Sequence, residues 1–170
     1  APDGAPIKNT TSFRYLGTVI SNDGSFQREI SRRTGIALGV ISGMRRIWGD
    51  RKLPKKLRAE LYHALVLSVA LYNAECWVID EAGEKTLQRF QRQALETITG
   101  SELWRTGLCR TTEELCREAR VQDVGTLVRE KRVIFATHCA RDQDEGTHGV
   151  ILDEIKRGTP WGKALLADIS

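Results

Sequence analysis

The chain has 170 residues, of which 41% are hydrophobic and 28% charged, and its formal net charge at pH 7 is +4. This balance is typical of a globular protein with a core of its own, and it excludes a disordered polar chain. The longest apolar run, residues 64–72, is broken by Ser68 and is far shorter than the roughly 20 residues of a membrane helix. Because the sequence starts at Ala1 without methionine or an apolar leader, we expect a piece of an intracellular protein, located in the cytoplasm and nucleus.

The positive charge is concentrated in the first third of the chain. Residues 1–60 hold 12 Lys and Arg against 5 Asp and Glu, a net charge of +7. Residues 61–120 and 121–170 carry net charges of −2 and −1. A neutral body with a basic first third is typical of a protein that binds a polyanion, although a solvated basic helix face is the simpler alternative.

The first predicted element is a short β-strand or one half of a hairpin. Residues 13–20 combine aromatic and β-branched side chains, and the turn signal Asn22-Asp23-Gly24 follows them. The sequence does not identify a partner for this strand, because residues 25–27 are already typical of the start of a helix. An unpaired edge of this kind can also pair with another chain.

A first helix is predicted from about Phe26 to Trp48, since apolar residues recur there at three- and four-residue steps. The opposite face carries arginines at both ends and glycines between them, and each glycine weakens a helix by roughly 1 kcal/mol relative to alanine. Such glycines allow the close approach of another backbone, either a packed helix or a sugar-phosphate chain, and the flanking arginines favour the second. This face consists of Arg28, Arg32, Gly35, Gly39, Gly43 and Arg46.

Two more helices complete a predicted three-helix bundle. After a loop, Pro54 fits the first position of a helix that runs to about Val78 and is apolar nearly all round in its middle. A third helix follows residues 80–83 and stops at Gly100.

The rest of the chain is predicted to be helical and less regular. Residues 101–110 are interpreted as a linker, and a capping box at Thr111 and Glu114 opens a short helix. Another helix is expected over 123–141, a loose polar stretch over 143–149, and two short helices over 150–156 and 161–169. The fold class is therefore an all-α bundle with a short N-terminal β-strand or hairpin. Its predicted parts are an N-terminal β element over 1–25, a three-helix bundle over 26–100, and a helical region over 101–170.

No catalytic or metal site is expected in this chain. A polymerase needs paired carboxylates that hold two metal ions about 4 Å apart, and no Asp-Asp pair occurs here. The four cysteines form no CxxC pair, so we interpret them as reduced, mostly buried thiols. A zinc site is the less favoured alternative, because its spacings match no common finger. Its candidate ligands are Cys109, Cys116, Cys139 and either His138 or His148.

Several segments, in order, resemble the region after the palm of LINE-type (non-LTR) retrotransposon reverse transcriptases. The segment from Phe13 to Gly24 is similar to an aromatic-x-Tyr-Leu-Gly motif with its polar turn. Family members commonly have Gly where this chain has Asn73. The other matching pieces are Glu29-Ile30-x-x-Arg33, Trp48 to Leu57, Leu61-Tyr62, Leu71 to Trp77, Leu87-x-x-Phe90-Gln91 to Ile98-x-Gly100, Thr112-x-Glu114-Leu115 and Arg132-x-x-Phe135-x-x-His138-x-x-Arg141.

The resemblance implies a thumb that grips the template–primer duplex during target-primed reverse transcription. It places Tyr15, Leu16 and Gly17 near the primer-grip position and leaves the catalytic residues, with their Mg²⁺, in another part of the parent polymerase. The implied partners are an RNA–DNA hybrid or other duplex and the rest of that polymerase. The residues expected to face nucleic acid are Arg14, Arg28, Arg32, Arg33, Gly35, Gly39, Gly43, Arg46, Arg51, Lys52, Lys55 and Lys56.

A rival interpretation is a protein-interaction module. In it, the glycine face and the Trp- and Tyr-rich middle helix bind a host factor or a second copy of the chain. A homodimer is therefore one of the alternatives. The two interpretations differ in what disrupts binding: removal of arginines in the first, enlargement of glycines or loss of aromatics in the second.

Overall fold

The computed structural model describes residues 10–50, 52–100, 110–141 and 145–170, with side chains from residue 149 onward in the last range. It is a bundle of helices with a two-stranded hairpin near the N-terminus, so the predicted fold class is confirmed. The elements are β1 Ser12–Tyr15, β2 Thr18–Ser21, α1 Gln27–Gly43, α2 Arg45–Gly49, α3 Lys55–Leu61, a π-helix Tyr62–Leu67, α4 Ser68–Ala70, a 3₁₀ turn Ala74–Cys76, α5 Glu81–Thr99, α6 Thr112–Ala119, α7 Val124–Arg141, α8 Glu145–Lys156 and α9 Pro160–Ile169.

The predicted strand forms both halves of a hairpin. β1 and β2 pair antiparallel, with Phe13 opposite Ile20. The chain reverses at Leu16 and Gly17, whose φ angles are +46° and +83°. Two consecutive residues with positive φ give the two-residue turn that suits the twist of a hairpin. The Asn-Asp-Gly signal lies after β2 and leads into α1.

The predicted helix over 26–48 is wrong in its continuity, because it breaks at Met44 into α1 and α2. The indole N–H of Trp48 donates to the carbonyl of Ile41 at 3.1 Å. In a continuous helix, that carbonyl would accept from the backbone amide four residues further on. Gly43, a weak helix former, precedes the break. The break turns Trp48 inward, where only 3% of it is exposed.

The predicted helix from Pro54 to Val78 ends earlier than expected. It runs through α3, the π-helix and α4 and stops at Ala70. Asn73 then adopts a left-handed conformation with φ +58°. Asparagine tolerates this conformation better than most residues, and glycine tolerates it best. The position where the resembling family commonly has glycine is therefore one that favours glycine on backbone grounds.

The third helix and the capping signals agree with the sequence prediction. The Asp80 carboxylate accepts from the Gly83 amide at the start of α5, and Gly100 ends the helix with φ +69°. The capping box at Thr111 and Glu114 is present in both directions. The predicted loose stretch over 143–149 is wrong from residue 145 onward, because α8 begins at Glu145.

The last helix is tied to the middle of the chain by a buried ion pair. The Arg132 guanidinium on α7 pairs with the Asp168 carboxylate on α9, and both side chains are under 10% exposed. The same guanidinium donates to the Trp77 carbonyl at 3.0 Å. The Trp161 indole of α9 donates to the Glu75 carbonyl at 2.8 Å.

One buried cluster runs through the bundle. Trp48, Trp77, Tyr62 and Phe90 are its largest members, each 3% exposed or less. It continues past residue 100 through Leu115 to Val128. The predicted division at residue 100 therefore does not coincide with a break in the core. Within the described ranges, no helix is both long and apolar enough to cross a membrane.

Candidate nucleic-acid interface

The outward face of α1 is an open surface. Gly35, Gly39 and Gly43 are all exposed, and a Cβ added at any of them would meet no neighbouring element within 4 Å. The glycines therefore do not serve a helix–helix contact within the described chain. Arg28 at the start of α1 and Arg46 on α2 are also exposed. We call these five residues the α1 face.

This face carries positive charge without an exposed carboxylate. Residues 27–49 contain five arginines and one acidic residue, Glu29. The Glu29 side chain is fully buried, so the acid contributes nothing to the outer surface directly. Arg45, which the three- and four-residue periodicity missed because the helix breaks at Met44, is exposed beside Arg46.

The basic surface continues into α3. Lys52, Lys55 and Lys56 are exposed, and Arg51 lies outside the described residues. Lys55 lies 3.5 Å from Glu118, and Lys56 lies 3.9 Å from Glu60. Ion pairs this exposed contribute at most about 1 kcal/mol, so both ammonium groups can exchange their partners for a phosphate.

Arg32 and Arg33, which were expected to face nucleic acid, make ion pairs and hydrogen bonds within the chain. Their guanidinium groups bind the Glu29 carboxylate at 2.9 and 2.7 Å. Both also donate to the carbonyl of Gly17 in the hairpin turn. Their side chains are only 23% and 12% exposed. These contacts hold the hairpin against α1; we call Glu29, Arg32, Arg33 and Gly17 the hairpin latch.

Two further contacts, from β2 and from Tyr72, complete the hairpin latch. The Val19 amide donates to the Glu29 carboxylate at 2.9 Å, and the Arg33 guanidinium stacks over the Tyr72 ring at 4.1 Å. Burial alone raises the pKa of Glu29, but the hydrogen bonds from Arg32, Arg33 and Val19 outweigh it and leave that pKa lowered. The buried acid is therefore ionised at neutral pH.

The hairpin itself presents exposed aromatic and apolar side chains. Phe13, Tyr15 and Leu16 are 55%, 58% and 74% exposed, and Arg14 lies between the two aromatics. Arg28 reaches the hairpin by donating to the Ser12 hydroxyl at 3.2 Å. The predicted primer-grip-like residues thus lie at the tip of the hairpin, beside the start of α1.

The described residues contain no group of three or more His, Cys, Asp or Glu side chains placed to hold a metal ion. Cys116 and Cys139 are buried free thiols and Cys76 is exposed. Burial raises the pKa of the Cys116 thiol, which disfavours the thiolate that a metal would bind. Cys109 and the side chain of His148 lie outside the described residues.

Comparison with known proteins indicates a transposon-related origin. Over 160 residues the chain is 26% identical to an uncharacterized transposon-derived protein of Caenorhabditis elegans. The match covers 91% of this chain and 54% of that protein, so the chain spans about half the length of this curated relative. No family model matches the sequence. No solved structure matches it significantly.

Proposed function

We propose that this chain is the thumb region of a non-LTR retrotransposon reverse transcriptase and binds the template–primer duplex through the α1 face. The observation that carries the proposal is a surface over α1 and α2 that bears exposed arginines and glycines and no exposed carboxylate. The transposon-derived relative and the order of the resembling motifs support the same origin. Catalysis and its Mg²⁺ belong to another part of the parent polymerase in this proposal.

The dimensions of the α1 face suit a nucleic-acid backbone. α1 has 17 residues and is therefore about 25 Å long, which matches roughly seven base pairs at about 3.4 Å each. Arg28 at the start of α1 and Arg45 and Arg46 on α2, just past its end, provide phosphate contacts, and the bare glycines between them let the sugar-phosphate chain approach closely. Contacts of this kind fix the position of the protein on the duplex and do not recognise the base sequence.

The hairpin latch supports this face. Because Arg32 and Arg33 are bound to Glu29 and Gly17, they position the hairpin tip beside the start of α1. The proposal therefore assigns phosphate contact to Arg28, Arg45, Arg46, Lys52, Lys55 and Lys56, and assigns Arg32 and Arg33 a positioning role.

The test is binding to a labelled RNA–DNA hybrid duplex over a salt series. We expect Arg45→Gln/Arg46→Gln to weaken binding and to reduce the slope of log K against log salt by roughly 0.7–0.9 for each lost contact. The matched control is Lys85→Gln/Arg89→Gln, which removes the same charge from exposed positions on α5. Circular dichroism checks that both variants fold.

Two results would overturn the proposal. The first is a wild-type chain that does not bind the hybrid even at low salt. The second is an equal loss in both double variants, which would make the effect one of net charge without a defined surface.

Protein docking is the second candidate, and the exposed hairpin favours it. Leu16, Tyr15 and Phe13 leave an apolar surface that in many proteins is covered by a partner. Sedimentation of the wild type and of Tyr15→Ser/Leu16→Ser distinguishes the candidates. A dimer that the double variant abolishes, together with unchanged hybrid binding, would support docking for the hairpin and leave nucleic-acid binding to the α1 face.

A further inference from the structure

A concave patch on the outside of the middle helix adjoins the basic surface. It has a volume of about 620 Å³ and is lined by the small side chains Ala59 and Ala64 and by larger polar ones. The polar lining consists of Lys56, Glu60, His63 and Arg120. Lys56 also belongs to the basic run that begins at Lys52, so the patch continues the surface already described.

The charge of the patch favours an anion. Its only acid, Glu60, lies 3.9 Å from Lys56, and the two side chains are 59% and 81% exposed. A pair so exposed is weak, so Lys56 can turn to a phosphate at little cost. The Arg120 guanidinium adds a planar pair of donors that matches two phosphate oxygens.

Arg120 occupies a backbone position where glycine is the favoured residue. It has φ +57° and ψ +44° at the end of α6. Its amide donates to the Arg117 carbonyl, and the Val121 amide donates to the Cys116 carbonyl, which together form a Schellman motif. Most helices that end in this way have glycine there, because a Cβ is strained at positive φ. The chain instead keeps a long cationic side chain beside the patch.

His63 and Ala64 belong to the π-helix Tyr62–Leu67, which is a second irregularity at the same place. A π-helical turn is wider than an α-helical one, is rare, and is frequently found at functional sites. Two unfavourable local conformations therefore lie on either side of one basic concavity.

We propose that the patch lined by Lys56, His63 and Arg120 is a second phosphate site, which binds a backbone phosphate of the same nucleic acid. This inference rests on the proposed function, because it assumes that the α1 face holds the duplex. It extends that function by adding a contact from α6, beyond the three helices of the predicted thumb.

Arg120→Gly tests this inference, because it removes the guanidinium and at the same time relieves the backbone strain of a Cβ at positive φ. We expect its thermal midpoint to equal or exceed that of the wild type. We expect hybrid binding to weaken several-fold, with the salt slope reduced by about 0.7–0.9. Arg120→Lys should restore most of the slope, since it restores the charge. Arg89→Gln on α5 is the control for the loss of one positive charge.

The outcomes separate this inference from the proposed function. If Arg120→Gly binds the hybrid like the wild type while Arg45→Gln/Arg46→Gln is weakened, the patch is not a phosphate site and the proposed function stands. If Arg89→Gln weakens binding as much as Arg120→Gly, the effect is one of net charge and the inference fails. If the wild type does not bind the hybrid, both fail together.

Discussion

At the scale of single residues, Glu29 connects the hairpin to the bundle. It is fully buried and accepts hydrogen bonds from Arg32, Arg33 and the Val19 amide. Replacing Glu29 with Gln leaves two guanidinium groups without their carboxylate, and removing one partner of a buried pair typically costs about 3–5 kcal/mol. Because the two arginines are partly exposed, we expect a loss at the lower end, about 3 kcal/mol, in the free energy of unfolding measured with urea.

The control for this substitution is Glu60→Gln on the exposed side of α3. Its ion pair with Lys56 is weak, so a change below about 0.5 kcal/mol is expected. Equal effects of the two substitutions would contradict the latch.

The same residue predicts a dependence of stability on pH. The pKa of Glu29 is lowered from the ordinary value of 4.5 by its hydrogen bonds, so the unfolded state binds the proton more readily than the folded state. Its contribution is therefore complete above that ordinary value and is lost as the pH falls through the lower pKa of the folded chain. We expect the difference in unfolding free energy between the wild type and Glu29→Gln to be largest near pH 7 and to shrink below about pH 4. A difference that stays constant from pH 7 to 3 would show that folding does not lower the pKa of Glu29, and a difference that grows as the pH falls would show that the carboxyl is protonated in the folded chain.

The contacts of Arg32 and Arg33 were not predictable from the sequence. The periodic pattern includes Arg28 and Arg32, and the resemblance adds Arg33, yet of the three only Arg28 is exposed. Periodicity cannot reveal that a buried acid one turn earlier takes both guanidinium groups, because the second half of the arrangement is the Gly17 carbonyl on another element. The left-handed conformation of Asn73 was not predicted either, although the glycine that the resembling family commonly has at this position fits it.

At the scale of elements, two glycines in helices have opposite surroundings. Gly39 is exposed on α1 with open space around it, whereas a Cβ on Gly83 would lie 2.9 Å from Ile30 Cδ1. We expect Gly39→Ala to stabilise the chain by about 0.5–1 kcal/mol, because alanine is the better helix former. Gly83→Ala should destabilise it, because Ile30 is in the core and must move. Thermal unfolding of the two variants measures both signs.

A larger side chain on the glycine face separates stability from binding. Gly39→Leu should fold normally, since nothing lies within 4 Å of the added Cβ. In the proposed function it weakens hybrid binding, because it holds the sugar-phosphate chain away from α1. Undiminished binding by a folded Gly39→Leu chain would show that no backbone approaches this face closely.

Element boundaries were predictable where local chemistry sets them. The Thr111–Glu114 capping box and the Gly100 stop depend on neighbouring residues, and both are present as predicted. The break at Met44 was not predictable, because it depends on the Trp48 indole taking the Ile41 carbonyl after the helix turns inward. The π-helix had no sequence signal either, since its residues fit an ordinary helix equally well.

At the scale of the whole molecule, the excess positive charge and the buried core have different distributions along the chain. The excess positive charge lies in the first third of the sequence, while the buried cluster extends from Ile30 to Val128. The composition and periodicity of the chain therefore predicted a basic helical bundle, and the structure adds which basic groups remain free to meet a polyanion. The basic groups of the proposed α1–α3 surface lie on α1 and α2, at Lys52 in the loop and on α3, and the latch holds the hairpin beside them.

The C-terminal helices provide a test of whether the chain unfolds as one unit. Arg132 connects the Trp77 carbonyl to Asp168, and Trp161 donates to the Glu75 carbonyl, so α9 is bonded to the segment that follows the middle helix. We expect Asp168→Asn to cost about 3 kcal/mol, because it leaves a buried guanidinium without its carboxylate. In the wild type, unfolding followed by tryptophan fluorescence and by helical circular dichroism should coincide, as in a two-state transition. Separate transitions, with Asp168→Asn shifting only one of them, would instead show that α9 unfolds independently of the bundle and that the Arg132 pair does not couple them.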